Sequence, residues 1–187
     1  MQTLDIIILG MAAEGPRSAY DIQKDVEYHQ LSRWTRVSVP SVYRKVLRLS
    51  EAGYLRRETV KGERRGDKAV YSITEEGRRY FMELLRAQAV QPVQVIFDFN
   101  TVISNLNKVD RGDAADLVNT LREKLREAAE ENLEYAGQYR EIPLVGREII
   151  NQQGMVYGAL LRWLDEFEEK FKREIKDERA VQPESSV

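Results

Sequence analysis

Residues 33–68, RWTRVSVPSVYRKVLRLSEAGYLRRETVKGERRGDK, carry eleven Lys and Arg against four Asp and Glu, an excess of +7 inside a chain whose formal charge is −2. Pro40 favours the first turn of a helix, where its missing N–H has no partner to lose. Val42, Val46 and Leu49 then follow at one-turn spacing, while Ser41, Lys45 and Arg48 repeat the same spacing on another face. Gly53 suits the left-handed residue that ends a helix. Tyr54–Val60 and Lys68–Ile73 alternate and are rich in β-branched and aromatic residues around a polar segment with two glycines, which predicts a β-hairpin. The charge therefore belongs to an ordered helix and hairpin, and a phosphate backbone is its natural partner.

Working outward, Leu4, Ile7, Ile8 and Met11 predict a short buried helix ending at Gly15-Pro16. Ser18 is placed to cap a second helix to about Tyr28, with Tyr20, Ile22 and Val26 inward. Thr74 caps a fourth helix to about Ala89, with Glu75 and Glu76 near the positive end of its dipole. Three helices followed by a hairpin make a winged helix-turn-helix, whose third helix is the one that enters the DNA major groove. The groove-facing candidates are Ser38, Ser41, Tyr43, Arg44, Lys45 and Arg48. Arg can bridge guanine O6 and N7, whereas Lys and Ser reach bases or phosphates according to distance. Lys61, Arg64, Arg65 and Lys68 form a phosphate grip on the wing.

Beyond residue 90 the charge changes sign: residues 1–90 hold 16 basic and 12 acidic residues, and residues 91–187 hold 13 and 19. The expected division is a DNA-binding domain over 1–90, a helical domain over 91–179 and a frayed tail over 180–187. Pro92 is expected to open an apolar helix to about Asn105, with Val95, Ile96, Phe99 and Ile103. Asp110 or Asp113 caps a long charged helix to about Arg140, with Leu117, Leu121, Leu125 and Ala128 on one side. A last helix runs from Pro143 to about Glu178. In it Ile149, Gln153, Val156, Leu160, Trp163 and Phe167 are spaced 4, 3, 4, 3, 4, the seam of a helix–helix contact, which Leu164 and Phe171 widen. A homodimer follows, with Val156, Leu160, Trp163, Leu164, Phe167 and Phe171 at its interface. Gln153 is the expected polar register pin. The fold class is thus mainly α with one small β-hairpin.

Several classes of function are disfavoured. Without cysteine there is neither a thiolate metal site nor a thiol nucleophile. The single His29 stands in a loop without a nucleophile motif or ligand spacing, and no phosphate-cradling GxxxxGK[ST] loop occurs, so an enzyme is not expected. No cofactor and no metal are expected. The apolar run Leu4–Ala13 contains Asp5, lacks a basic leader and is too short to span a bilayer, so the expected compartment is the cytoplasm, away from membranes. A winged helix used only for protein–protein contact is the rival reading, and it needs apolar or mixed anchors where this chain carries cations.

Ile8-Leu9-Gly10 with Glu14-Gly15-Pro16, Tyr20-Asp21-Ile22, Ser41-Val42-Tyr43, Leu47-Arg48-Leu49, Glu51-Ala52-Gly53-Tyr54-Leu55 and Tyr71-Ser72-Ile73-Thr74-Glu75-Glu76-Gly77 occur in that order. Over about residues 4–80 the chain resembles the PadR family of transcriptional regulators, and Gly154 with Trp163-Leu164-Asp165-Glu166 is similar to its longer branch. The resemblance implies a dimeric winged-helix repressor whose C-terminal helices join the subunits and whose operator affinity falls when a small, often aromatic effector binds. It also implies that Tyr20 and Tyr43 contact the DNA backbone; the alternative for each is a ring packed in the core with its hydroxyl bonded locally. Ser18-Ala19-Tyr20 stands where many relatives have His-Gly-Tyr, so contacts of that His are not carried over. For the effector, Phe97, Phe99, Tyr157 and Trp163 are residues that stack, and Asn151 and Gln152 residues that hydrogen-bond. Aromatics at helical spacing are more often plain core.

Overall fold

Side-chain caps set the start of three helices in the computed structural model, which describes residues 2–62, 66–139 and 141–181. Helix α1 (Thr3–Glu14) buries Leu4, Asp5, Ile8, Leu9 and Ala12 and stops before Gly15-Pro16. Helix α2 (Ala19–Tyr28) opens on a capping box: Asp21 N donates to Ser18 Oγ at 3.1 Å and Ser18 N to Asp21 Oδ2 at 3.2 Å. Such a cap stabilises by about 1 kcal/mol. A single 3-10 turn over Val39–Ser41 contains Pro40 and leads into helix α3 (Val42–Glu51), so the α-helical bonds begin slightly later than Pro40 suggested. Gly53 has φ +81°, and Tyr54 N reaches back to Leu49 O at 2.9 Å.

Strands β1 (Leu55–Gly62) and β2 (Gly66–Ile73) pair antiparallel with Leu55 opposite Ile73. The sequence reading missed a third partner at the root of this hairpin. Arg17 N donates to Tyr71 O at 3.1 Å and Tyr71 N to Arg17 O at 2.8 Å, which ties the α1–α2 turn to β2. Helix α4 (Glu75–Ala89) is capped by Thr74, whose Oγ accepts from Gly77 N at 2.9 Å and donates to Gly53 O at 2.7 Å. Ile8, Leu9, Ile22, Val26, Val42, Val46 and Leu55 are almost wholly withdrawn from solvent and unite helices and hairpin in one core. Burying an aliphatic side chain of this size stabilises by about 1.5–3 kcal/mol.

The chain divides into two units, Met1–Gln94 and Val95–Val187. The expected helix from Pro92 is corrected: residues 92–97 have no regular structure, and only a short helix α5 (Asn100–Ile103) and a 3-10 turn over Leu106–Lys108 follow. Val93, Val95 and Ile96 are exposed, so the apolar pattern has no surface to be buried on, and β-branched residues alone do not hold a helix.

Helices α6 (Arg111–Gln138) and α7 (Leu144–Val181) form an antiparallel pair, and Asp110 caps α6 by accepting from Asp113 N at 2.9 Å. The inward stripe of α6 is Ala114, Val118, Leu121 and Leu125; Leu121 and Leu125 hold their expected places, whereas Leu117 is exposed and Val118 faces the core instead. Leu164 is 0% exposed, clamped among Leu106, Ala114, Val118 and Leu125 of its own chain. That corrects its assignment to a subunit contact, since it has no surface left to offer. Gln153 is only half-buried. The buried polar residue of the pair is Asn132, whose Nδ2 donates to Ile150 O at 3.1 Å, and a Cβ on Gly154 would lie 3.2 Å from that nitrogen. Arg122 crosses between the helices to Asp165 (Nε to Oδ1, 3.1 Å) and to Glu168, which also meets Lys172 at 2.6 Å. The Lys172 ammonium lowers the Glu168 carboxyl from its ordinary value, aided by Arg122 and opposed by burial.

Candidate nucleic-acid interface

Helix α3 is divided by its own periodicity. Val42, Val46 and Leu49 face the core, and Tyr43, Arg44 and Arg48 stand in solvent. Tyr43 is 56% exposed, so a packed ring is excluded for it. The same holds for Tyr20 on α2, 61% exposed, with Lys24 Nζ 5.0 Å from its ring centroid. Hydrogen bonding to Tyr20 raises the Lys24 ammonium above its ordinary value. The sequence reading overlooked Lys24; its place one turn after Tyr20 was the available signal.

Ser38 and Ser41 meet hydroxyl to hydroxyl at 3.3 Å at the entrance to α3. Together with Leu4 of α1 and Arg36, Val37, Arg44, Lys45 and Arg48 they line a cavity of about 250 Å³ where α3 meets the start of α1. Arg36 joins the candidates here, brought in by the loop that carries Trp34. Lys45 is different: its Nζ lies 2.9 Å from Oδ1 of Asp5 on α1, and it is half-buried. On the wing, Lys61 is exposed, and Lys68 Nζ is paired with Asp21 Oδ2 at 2.7 Å. Burial acts to raise the Asp21 carboxyl, but Lys68 and Ser18 outweigh it and hold the group below its usual value. Arg64 and Arg65 lie outside the described residues. The structure thus brings Ser38, Ser41, Arg44, Lys45 and Arg48 together, with Lys45 turned toward α1.

Of the residues suggested for a small aromatic ligand, the aromatic ones gather in one cluster, and Asn151 and Gln152 do not line it. Phe97, Phe99 and Trp163 are linked ring to ring at centroid separations of 5.4 and 6.1 Å, and the row continues through Phe167 to Phe171 at 5.7 and 5.5 Å. Tyr157 packs beside the Leu164 core. Asn151 donates to Glu148 Oε2 at 3.1 Å and, like Gln152, is exposed. Eleven residues of helix, about 16 Å, separate Gln152 from Trp163. A cavity of about 210 Å³ between α6 and α7 is lined by other residues: Arg111, Ala114, Ala115, Val118, Glu168, Phe171 and Lys172. Among the described residues no cluster of His, Cys, Asp or Glu is arranged to hold a metal ion, and no helix is long and apolar enough to cross a membrane.

A helix-turn-helix with a cationic third helix, closed by a two-stranded wing and followed by a long helical pair, defines the class: a winged-helix protein with a helical extension. Residues 8–83 match the model of the transcriptional regulator PadR-like family, and over this unit the chain is similar to that family. Solved structures share the fold over nearly the whole chain. Bacillus subtilis PadR in complex with operator DNA is 18% identical, with 89% of this chain and 96% of that one covered and a TM-score of 0.73. The same protein in complex with p-coumaric acid is 16% identical, with 88% and 93% covered and a TM-score of 0.71. A PadR-like transcriptional regulator from Bacillus cereus is 20% identical, with 92% and 99% covered and a TM-score of 0.67. No protein of curated function matches the chain in sequence.

Proposed function

We propose that this chain is a sequence-specific DNA-binding transcriptional regulator that acts as a homodimeric repressor and leaves its operator when a small effector binds. One observation carries the reading: Tyr43, Arg44 and Arg48 project into solvent from a helix whose opposite face is locked in the core. A module built only for protein contact needs apolar or mixed anchors at that place, and this face is dominated by guanidinium groups and hydroxyls. The likeness to a PadR bound to operator DNA supports the DNA partner, and the likeness to the same protein bound to p-coumaric acid supports a small aromatic effector. The exposed Leu133 on α6 and Leu144, Val145, Met155 and Trp163 on α7 supply apolar surface for a second copy. In such a dimer the two reading helices address half-sites about one turn, roughly 34–36 Å, apart.

Salt titration of binding to the promoter of its own gene tests the proposal. Log affinity should fall linearly with log salt at about −0.9 per neutralised phosphate, and the promoter should outcompete random DNA. A flat salt response, or equal affinity for both DNAs, overturns it. Deleting the gene should raise transcription from that promoter; a fall would make the protein an activator. Small phenolic acids should weaken promoter binding, and indifference to all of them would remove the effector class.

A further inference from the structure

Asp5 is the one acid in the apolar run that builds α1, and it is 6% exposed. A carboxylate in such a place costs free energy unless a cation meets it. The cation it meets comes from the reading helix: Lys45 Nζ stands 2.9 Å from Asp5 Oδ1, an ion pair that is out of line for a good hydrogen bond. Tyr80 of α4 completes the surroundings, stacked on Tyr54 at 4.2 Å, its hydroxyl raised by burial and then by the charge of Asp5. Lys45 lies one turn after Ser41 and three residues before Arg48, so helical spacing alone assigns it to the DNA-facing set. Its neighbours Arg44 and Arg48 are exposed, and Lys45 is not.

We infer that Asp5 is a positioning residue for DNA recognition: it draws Lys45 off the reading face, leaving that face to Arg44, Arg48 and the hydroxyls, and it anchors α3 to α1. For Lys45 to reach a phosphate, a buried carboxylate would have to lose its only ion-pair partner among the described residues. Lys45 therefore adds no released counterion when DNA binds. Specificity gains from this, because a long, freely rotating ammonium grips phosphates regardless of sequence and reads bases less selectively than a fixed guanidinium fork. The inference rests on the DNA-binding reading above and goes beyond it in assigning a role to a residue that never touches DNA.

The test compares salt slopes on promoter and random DNA for the full-length protein, Asp5→Asn and the double variant Asp5→Asn/Lys45→Met, each first checked for folding by circular dichroism. Released from its partner, Lys45 in Asp5→Asn should steepen the slope by about 0.9, an extra loss of about 3.5-fold between 50 and 200 mM salt. Affinity for random DNA should rise more than affinity for the promoter. The double variant should keep the wild-type slope, and it decides alone if Asp5→Asn does not fold. A slope in Asp5→Asn equal to wild type, or one in the double variant shallower by about 0.9, overturns the inference, since Lys45 would then be unrestrained or already on a phosphate. A purely structural role for Asp5 would shift melting and leave every slope unchanged. If the wild type shows neither salt dependence nor promoter preference, the DNA-binding reading fails first and takes this one with it.

Discussion

Gly77→Ala should destabilise the protein, against the usual sign for a glycine inside a helix. Replacing an interior helical Gly by Ala normally stabilises by about 1 kcal/mol. Here a Cβ would fall 2.1 Å from the backbone carbonyl oxygen of Tyr54, with Ile73 at 3.0 Å on another side. That is more than about 1 Å inside ordinary non-bonded contact. The oxygen cannot simply retreat, because Thr74 N donates to it at 3.0 Å, so moving it disturbs both the cap of α4 and the base of the wing. Overpacking costs about 1–3 kcal/mol and a lost cap about 1. After the helix-propensity gain, a net loss of about 2 kcal/mol remains. For a unit the size of Met1–Gln94 that lowers the melting midpoint by about 10 °C. Thermal unfolding followed by circular dichroism measures it, and an unchanged or raised midpoint would refute the packing argument.

Leu164→Ala should cost about 2–5 kcal/mol, because the side chain is wholly enclosed within its own chain; urea unfolding at two protein concentrations checks this, and a small loss seen only on dilution would return Leu164 to the subunit contact. The Asp21–Lys68 pair should produce an acid-sensitive contribution to stability. Since the folded-state carboxyl lies below its ordinary value, the contribution is complete above an unfolded pKa of about 3.9 and disappears as pH falls through the lower folded value. Melting midpoints across the acid range should therefore fall less steeply for Lys68→Met than for wild type, and parallel curves would deny the pair that role.

Features of the fold that depend on neighbouring residues in sequence were readable from it. Ser18, Thr74 and Asp110 announce helix starts because a cap is a contact between a side chain and a backbone group three residues on, and Gly53 announces a stop because its φ is forbidding to other residues. The winged helix followed from these and from the buried stripe Val42, Val46 and Leu49. What escaped was decided by tertiary partners. Val93, Val95 and Ile96 have the composition of a buried segment but meet nothing that buries them. On α6 only Leu117 was misplaced: it is exposed, and Ala114 and Val118 beside it are buried instead. Asn132 gave no local sign that it would bond across to Ile150. Within the interface, the identity of the cations was legible and their engagement was not: Lys45 and Lys68 answer to Asp5 and Asp21, 40 and 47 positions earlier in the sequence.

The reciprocal backbone bonds between Arg17 and Tyr71 weld the turn leading into α2 to the strand leading out of the wing. With the wing tied to the helices at its root and the reading helix sharing their core, the DNA-binding head is built as a stamp cut from one block. A stamp cannot be made to print differently by bending; it can only be lifted or set down elsewhere. In the dimer proposed above, a bound effector would therefore act as a caliper, altering the gap between two unaltered heads, and operators would differ in their response according to the spacing of their half-sites.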